Sequence, residues 1–247
     1  MYWLHSGKLG DTLWALPAMR EMLRLRHEEQ GIVCLQQRYP FFDVRVALRA
    51  LRPLLIQQSY ISDVTLNCPA DAVDGNVWWL DEFRSGKLKP DGTWNLATLA
   101  LRRFNLPDSC ADSAWISVEP KPIAKYVISR CLQPSCWNAS MLWPAILDRY
   151  GQESVFLGAR VEYEGFIGQF GRRVAYHRTE TLREAAQVIA GSDRIFCNQS
   201  ALHTIAEAMK KDIVLEVSND YPSVVFRRPG VVNVWDRFPE AESRIGL

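Results

Sequence analysis

Two short segments of this sequence carry the residue types best suited to chemistry. The first, "SGKLGD", spans residues 6–11 and combines two glycines, a lysine and a carboxylate. The second, "NQSALHTIAE", spans residues 198–207 and combines amide, hydroxyl, imidazole and carboxyl side chains. A carboxylate beside glycine can serve as a general base. Free amides at the start of a helix can hold phosphate oxygens. The two segments therefore predict a base and an anion site.

The first segment follows a short apolar run and precedes a helical pattern. Its candidates for contact with phosphate or acceptor are Ser6, Gly7, Lys8 and Gly10, and its candidate base is Asp11. The spacing is neither G-x-G-x-x-G nor G-x-x-x-x-G-K-[ST], which excludes a dinucleotide fingerprint and a P-loop. The alternative for Asp11 is that it only caps the helix and complements the helix dipole.

The second segment lies between a strand pattern and a helical one. Backbone amides, the Ser200 hydroxyl and the helix dipole would converge there on a bound anion. His203 and Glu207 would lie one turn apart on the same helix face. The alternative is that Asn198 or Ser200 only caps the helix and His203 packs against the strand.

Strand and helix patterns alternate along the whole chain, which predicts an α/β fold with parallel sheets. In the first half, strands are expected at residues 2–4, 32–36, 54–58 and 64–68, with helices after Asp11 and within 43–51 and 95–104. Pro17 is expected within the first turn of its helix, and Pro53 is expected to end its own. Further strands are expected at 125–129, 153–159, 172–177, 193–198 and 212–217.

The segment "VEPKPIAK", residues 118–125, has the prolines and mixed charge of a linker. It predicts two Rossmann-like domains, residues 1–120 and 121–247. In open α/β sheets, ligands bind beyond the carboxyl ends of the strands, where the strand order reverses. Both chemistry-bearing segments follow predicted strands, as such a site requires.

Composition narrows the class of protein. The net charge is +1, so no global field favours nucleic acid or an anionic membrane. The sequence contains no apolar run long enough for a transmembrane span and no export signal. The six cysteines are scattered without metal-ligand spacing. We therefore expect a cytoplasmic protein with reduced thiols, no metal and no membrane span.

Both segments resemble motifs of glycosyltransferase family nine, the ADP-heptose:lipopolysaccharide heptosyltransferases. The first motif is Gly10-Asp11 followed by "LWALPAMREML", and the second is "NQSALHTIAEAM". The stretches "LWPAIL", "VFLGARVEYEG" and "TLREAAQVIAGSDRIFCN" are also similar to segments of that family. The resemblance covers the first 25 residues and most of the second half. It implies a GT-B fold, in which two Rossmann-like domains face each other across a cleft.

The resemblance implies a glycosyltransferase that moves a sugar from a nucleotide-diphosphate sugar to an acceptor hydroxyl. Its N-terminal domain would bind the acceptor and its C-terminal domain the sugar nucleotide, with inversion and with neither a metal nor another cofactor. Asp11 would deprotonate the acceptor. The donor-binding residues would be Asn198, Gln199, Ser200, His203, Glu207 and Arg178. Glu207 would bind the ribose, and the helix start at Ser200, together with His203, Lys8 and Arg178, would stabilise the charge of the diphosphate. Solvent-exposed surface roles are the alternatives for Arg178 and Glu207.

Departures from the family pattern keep other functions open. Asn198 or Gln199 stands where the family has an acid, and Ser200 or Ala201 replaces its glycine. A catalytically inactive GT-B-like protein that binds sugar nucleotides is one alternative. A phage-type transferase that glycosylates modified DNA bases is another, with phosphate contacts from the arginines at 20, 24, 26, 45, 49 and 52. The acceptor could be a saccharide, a protein or a modified nucleic acid.

Overall fold

The computed structural model describes residues 1–39, 43–69, 72, 76–81, 95–138, 142–172, 174–218, 222–234 and 245–246. The chain divides into two compact units. One comprises Met1–Val118 with Thr181–Arg183, and the other comprises Glu119–Glu180 with Glu184–Leu247. Each unit contains its own parallel sheet with helices between the strands, so the predicted α/β class is confirmed.

The first unit is built on a four-stranded parallel sheet. Its strands are β1 (Tyr2–His5), β2 (Gly31–Leu35), β3 (Ile61–Leu66) and β4 (Val77–Trp79), and its helices are α1 (Leu9–Leu25), α2 (Val44–Leu55) and α3 (Leu96–Arg103). The strand order is β3-β2-β1-β4. The chain first builds outward from β1 to β3 and then adds β4 on the other side of β1. The strand order therefore reverses between β1 and β4.

The second unit is built on a six-stranded parallel sheet. Its strands are β5 (Tyr126–Ser129), β6 (Ser154–Phe156), β7 (Ala175–Tyr176), β8 (Arg194–Asn198), β9 (Asp212–Glu216) and β10 (Val231–Val234). Its helices are α4 (Trp143–Tyr150), α5 (Arg160–Phe170), α6 (Leu182–Ala190) and α7 (Ala201–Ala208). The order is β10-β9-β8-β5-β6-β7, so the reversal falls between β5 and β8.

Pro17 lies well inside α1 and not in its first turn, which corrects the sequence expectation. A proline has no N–H for the carbonyl four residues earlier, which here belongs to Leu13. The indole Nε1 of Trp115 donates to that Leu13 carbonyl at 3.1 Å. A tertiary contact thus satisfies the acceptor that the proline leaves open, and the helix continues to Leu25.

The strand expected at residues 54–58 is wrong, because α2 continues through Pro53 to Leu55. The buried residues Leu51, Leu54 and Leu55 recur at helical spacing and extend the apolar face of this helix. Two short strands, β4 and β10, were not predicted from the sequence. Within the described residues, no helix is both long and apolar enough to cross a bilayer.

Candidate functional sites at the strand-order reversals

Polar clusters lie at both places where the strand order reverses. One lies at the carboxyl ends of β1 and β4 in the first unit, and the other at the carboxyl ends of β5 and β8 in the second. At such a reversal the flanking connections leave toward opposite faces of the sheet, which opens a crevice for a ligand. Each unit therefore has one candidate site.

The cluster of the first unit is centred on the buried carboxylate of Asp81, just after β4. This carboxylate accepts the backbone N–H of Ser6 at 2.5 Å and the Ser6 hydroxyl at 3.0 Å. The imidazole Nε2 of His5 lies 3.0 Å from Asp81 Oδ1, and both side chains are nearly inaccessible to solvent. Asp81 therefore ties the end of β1 to the end of β4.

The other ring nitrogen of His5 fixes the start of the loop. The backbone N–H of Gly7 donates to His5 Nδ1 at 3.0 Å, and Thr12 Oγ1 lies 2.7 Å from the same atom. An accepting Nδ1 places the ring proton on Nε2, where it faces Asp81. Gly7 has a φ of 81°, a conformation that favours glycine. The loop that begins "SGKLGD" is thus held by buried hydrogen bonds.

The protonation of Asp81 follows from these contacts. Burial alone would raise the pKa of the carboxyl, but the hydrogen bonds from His5 and Ser6 outweigh it and leave the pKa below its usual value. Asp81 is therefore ionised at neutral pH, and its oxygens are occupied by donors from His5 and Ser6. We assign it the role of positioning the loop.

We expect Asp81→Asn to lower the free energy of unfolding by about 2–3 kcal/mol, because charge-assisted hydrogen bonds are lost. An amide also turns an NH₂ group toward the donors of His5 and Ser6. Urea denaturation measures the change. Asp63→Asn is the control, since Asp63 forms a half-exposed ion pair with Arg52 at 3.0 Å and should cost less than about 1 kcal/mol. Equal losses for the two variants would contradict the positioning role.

The predicted base, Asp11, is the third residue of α1 and is half-buried. The helix begins at Leu9 with Lys8 as its N-cap residue, and the Lys8 side chain makes no capping hydrogen bond. A carboxylate in the first turn faces the positive end of the helix dipole. The Lys8 ammonium instead lies 4.6 Å from the ring centroid of Tyr39. The structure thus brings Ser6, Gly7, Lys8, Gly10 and Asp11 into one loop and helix start.

In the second unit, Asn198 bridges the reversal between β5 and β8. Its Oδ1 accepts the backbone N–H of Cys131 at 2.9 Å, and its Nδ2 lies 3.3 Å from the Cys131 carbonyl. Asn198 is fully buried as the last residue of β8. Its amide therefore shapes the loop after β5 and fixes how α7 begins.

The start of α7 agrees in part with the prediction. Ser200 is the N-cap residue, and its hydroxyl accepts the N–H of His203 at 3.4 Å. Gln199 is buried beside it. Burial, reinforced by the charge of Arg228, lowers the pKa of His203 to about 3. His203 is therefore uncharged at neutral pH, which corrects the expectation that it supplies positive charge.

The buried His203 should make the protein less stable in mild acid. Below pH 6.5 the unfolded chain protonates this histidine while the folded chain does not, so the free energy of unfolding falls until the pH nears about 3. One such group contributes up to about 1.4 kcal/mol per pH unit. Denaturation between pH 4 and 8 should show this slope weakened in His203→Asn. His27→Asn, at an exposed site, should leave it unchanged. An equal slope in His203→Asn and the parent would contradict the assignment.

Glu207 is not the exposed helix residue that the sequence suggested. It is fully buried, and its carboxylate lies 2.7 Å from Lys210 Nζ and 2.9 Å from an Arg228 guanidinium nitrogen. Lys210 lies three residues after Glu207, just past the end of α7, whereas Arg228 comes from a later segment that helix periodicity does not reveal. Arg178, in contrast, is 75% exposed and pairs with Glu180 at 2.7 Å. Arg178 is therefore a solvent-exposed surface residue, which was the alternative to its predicted role in donor binding.

A buried ion pair that sequence reasoning missed lies at the same edge. Arg130 follows β5 and Glu216 ends β9, and the guanidinium donates to both carboxylate oxygens at 2.8 and 3.0 Å. The N–H of Asn138 and the indole of Trp143 also donate to Glu216, at 2.7 and 3.1 Å. The Arg130 guanidinium stacks 4.4 Å from the ring centroid of Trp137. The loop after β5 is therefore anchored on both sides.

Among the described residues, no group of three or more histidine, cysteine, aspartate or glutamate side chains is arranged to hold a metal ion. The acids at both reversals instead pair with histidine, arginine or lysine. His5, Asp81, Arg130 and Glu216 are polar residues at or just after the ends of strands, which is the pattern by which the sequence could have revealed them. Strands β1, β5 and β9 were predicted, so His5, Arg130 and Glu216 could have been found, whereas β4 and therefore Asp81 could not.

The fold is similar to solved glycosyltransferase structures. One is TibC, an iron-containing dodecameric glycosyltransferase from enterotoxigenic E. coli, with a TM-score of 0.60 and 16% identity over 94% of this chain and 61% of TibC. A family 9 glycosyl transferase from Veillonella parvula matches with a TM-score of 0.56 and 12% identity over 99% of this chain and 87% of that protein. E. coli heptosyltransferase WaaC with ADP gives a TM-score of 0.54 and 11% identity over 87% and 86%.

These likenesses concern the fold. No protein-family model and no curated protein matches the sequence. The chain spans about three fifths of the length of TibC. The likeness to the heptosyltransferases confirms the predicted α/β fold class of GT-B type, whereas the cleft and the acceptor and donor roles of domains 1–120 and 121–247 stay predictions.

Proposed function

We propose that this protein is a glycosyltransferase that moves a sugar from a nucleotide-diphosphate sugar to an acceptor hydroxyl. The observation that carries the proposal is a cluster of hydrogen-bonded polar residues at the carboxyl end of each sheet, where the strand order reverses. The fold that holds these clusters is similar to that of E. coli WaaC with ADP. TibC has also been solved in complex with ADP-D-beta-D-heptose. Parallel α/β sheets bind their ligands beyond the carboxyl ends of the strands, at the point where the strand order reverses.

The second unit would hold the donor. A diphosphate leaving group develops negative charge that fixed amide donors and a helix dipole can stabilise. The start of α7, capped by Ser200, offers such amides, and Asn198 and the Arg130–Glu216 pair fix the loop beside it. Because His203 is uncharged, the side chain that brings positive charge to the diphosphate would be Arg178. Its exposed pair with Glu180 is worth at most about 1 kcal/mol, so a phosphate can displace it.

The first unit would supply the base. Asp11 would take the proton of the acceptor hydroxyl as that oxygen attacks the sugar carbon opposite the departing diphosphate, which inverts the anomeric configuration. Asp81 and His5 would hold the loop so that Asp11 stays in place. The proposal requires neither a metal nor another cofactor, because amides and side chains carry the charge. Glu207 takes no part, since Lys210 and Arg228 occupy its carboxylate.

Thermal unfolding in the presence of nucleoside diphosphates and nucleotide sugars tests donor binding. A ligand at a hundred times its dissociation constant should raise the free energy of unfolding by about 2.7 kcal/mol. That corresponds to a rise in Tm of about 5–10 °C for a chain of this size. If no nucleotide of any base shifts Tm, the proposed function is wrong.

The position of the donor is tested by a charge placed at the start of α7. Ala201→Glu should weaken diphosphate binding about tenfold, because the new carboxylate repels the phosphates. Val161→Glu, which puts the same charge at the exposed start of α5, is the control and should leave affinity unchanged. Binding without release of nucleoside diphosphate, over a broad panel of acceptors, would instead indicate a catalytically inactive binding protein.

A further inference from the structure

A cavity of about 330 Å³ lies in the first unit, at the carboxyl ends of β2 and β3 and beside the start of α2. Its size is at the lower end of the range for small-molecule sites. The residues that line it come from the ends of the two strands and from the first turn of the helix: Gln37, Asp43, Val44, Arg45, Leu66 and Asn67. The cavity is distinct from the reversal between β1 and β4 but opens on the same edge of the sheet.

The wall of this cavity is joined to the loop that carries the proposed base. Because β1 and β2 are parallel neighbours, the loops that follow them lie side by side. The Gln37 side chain donates to the Tyr39 carbonyl, and the ring of Tyr39 contacts the Lys8 ammonium. Lys8 is the N-cap residue of α1, three positions before Asp11. A molecule in the cavity would therefore lie close to the segment that positions Asp11.

The polar groups at the start of α2 do not suit a phosphate. The N–H of Val44 already donates to Gln37 Oε1 at 3.1 Å. The N–H of Arg45 donates to Asp43 Oδ1 at 2.8 Å. The first amides of the helix are thus occupied, and the Asp43 carboxylate repels an anion. The ligand of this cavity is therefore not expected to be a phosphate ester.

The other groups suit a sugar ring. The guanidinium of Arg45 and the side-chain amide of Asn67 make no hydrogen bond or ion pair with the described part of the chain. Sugar hydroxyls donate to a carboxylate and accept from a guanidinium or an amide, so Asp43, Arg45 and Asn67 can all bind them. Leu66 is 37% exposed, and with Val44 it offers aliphatic surface to the C–H groups of a ring.

We propose that this cavity binds a monosaccharide unit of the acceptor, which makes the acceptor a saccharide. The inference rests on the proposed transferase function and names its acceptor class. A protein acceptor would present an extended segment, which binds along a sheet edge or a groove. A compact cavity lined by a carboxylate, a guanidinium, amides and aliphatic carbon instead matches one hydroxyl-rich ring.

A DNA acceptor fits the structure less well. Four of the six arginines considered for phosphate contact already bind partners within the protein: Arg20, Arg24, Arg26 and Arg52. The remaining two are Arg45 and Arg49, and Arg45 adjoins the Asp43 carboxylate. Affinity for a phosphate backbone comes from several cations that act together. The first unit does not provide such a set on α1 and α2.

Binding to the isotope-labelled full chain, followed by NMR without any donor, tests the proposal. The probes are the methyl glycosides of glucose, galactose and mannose, a peptide containing serine and threonine, and duplex DNA containing hydroxymethylcytosine. We expect at least one glycoside to shift the backbone resonances of Val44 and Leu66, and neither the peptide nor the DNA to do so.

Two variants and two matched controls locate the sugar. Arg45→Ala should weaken glycoside binding about tenfold, because a charged hydrogen-bond donor is lost. Asn67→Gly should weaken it about fivefold, and glycine keeps the backbone because Asn67 has a φ of 58°. Arg49→Ala, one turn further along α2, and Asn105→Gly, at a second asparagine with a φ of 55°, should leave affinity unchanged.

Shifts at the cavity from the peptide or the DNA but from no glycoside, or no shift from any probe, would overturn the proposal. Equal weakening by Arg45→Ala and Arg49→Ala would place the sugar elsewhere and would also overturn it. The titration contains no nucleotide, so its outcome is separate from the test of the proposed function. Nucleotide binding without glycoside binding would leave the transferase standing, whereas glycoside binding without nucleotide binding would contradict the transferase and with it the acceptor role.

Discussion

Asp11→Asn is expected to lower the rate of sugar transfer by about 10²–10⁴-fold, the usual contribution of a general base. The amide keeps the shape of the carboxylate at the third position of α1 but cannot accept the acceptor proton. Donor affinity should stay unchanged, because the proposal places the donor on the second unit. The measurement is release of nucleoside diphosphate under saturating donor and acceptor.

Asp108→Asn is the control for this variant. Asp108 lies in the same unit, pairs with Arg102 at 2.6 Å and is partly exposed, so its loss should leave transfer unchanged. Full activity in Asp11→Asn would show that Asp11 is not the base and would leave the capping role as its explanation. Loss of donor binding together with transfer would contradict the division of roles between the units.

Glu216→Gln is expected to lower the free energy of unfolding by about 3–5 kcal/mol, because the Arg130 guanidinium is then left buried without an anion. The two side chains are 6% and 0% exposed, so water cannot replace the lost carboxylate. The Asn138 N–H and the Trp143 indole lose charge-assisted acceptors as well. Urea denaturation, followed by tryptophan fluorescence, measures the change.

Glu164→Gln provides the contrast. Glu164 pairs with Arg160 at 2.7 Å, but both side chains are at least 60% exposed, so this substitution should cost less than about 0.5 kcal/mol. If Glu216→Gln is no more costly than Glu164→Gln, Arg130 and Glu216 do not anchor the loop. A partner variant, Arg130→Met, should be closer to additive with Glu164→Gln than with Glu216→Gln.

Hydrophobic periodicity was sufficient for the α/β class and for most helices. It failed where long-range contacts decided the local structure. Pro17 sits inside a helix because Trp115, 98 positions further along the chain, satisfies the carbonyl of Leu13. The three-residue strand β4 exists through its pairing with β1, and a segment that short carries little periodic signal.

The same distinction holds for the candidate sites. Loops were predictable where a serine and other polar or small residues occur at a helix start, as at residues 6–11 and 198–203. The residues that brace those loops were not, because Asp81 meets His5 only after β4 pairs with β1. Likewise, the sequence suggested that Glu207 lies on an exposed helix face, but the Arg228 side chain that pairs with it comes from a later segment of the chain.

The proposed transferase must bind its diphosphate where the second sheet reverses its strand order. The most direct test is a crystal structure of the full chain with the nucleoside diphosphate that raises Tm most. We predict phosphate oxygens within hydrogen-bond distance of the backbone amides that open α7, next to Ser200. Phosphates bound at the loop after β1, or anywhere else away from α7, would contradict the account.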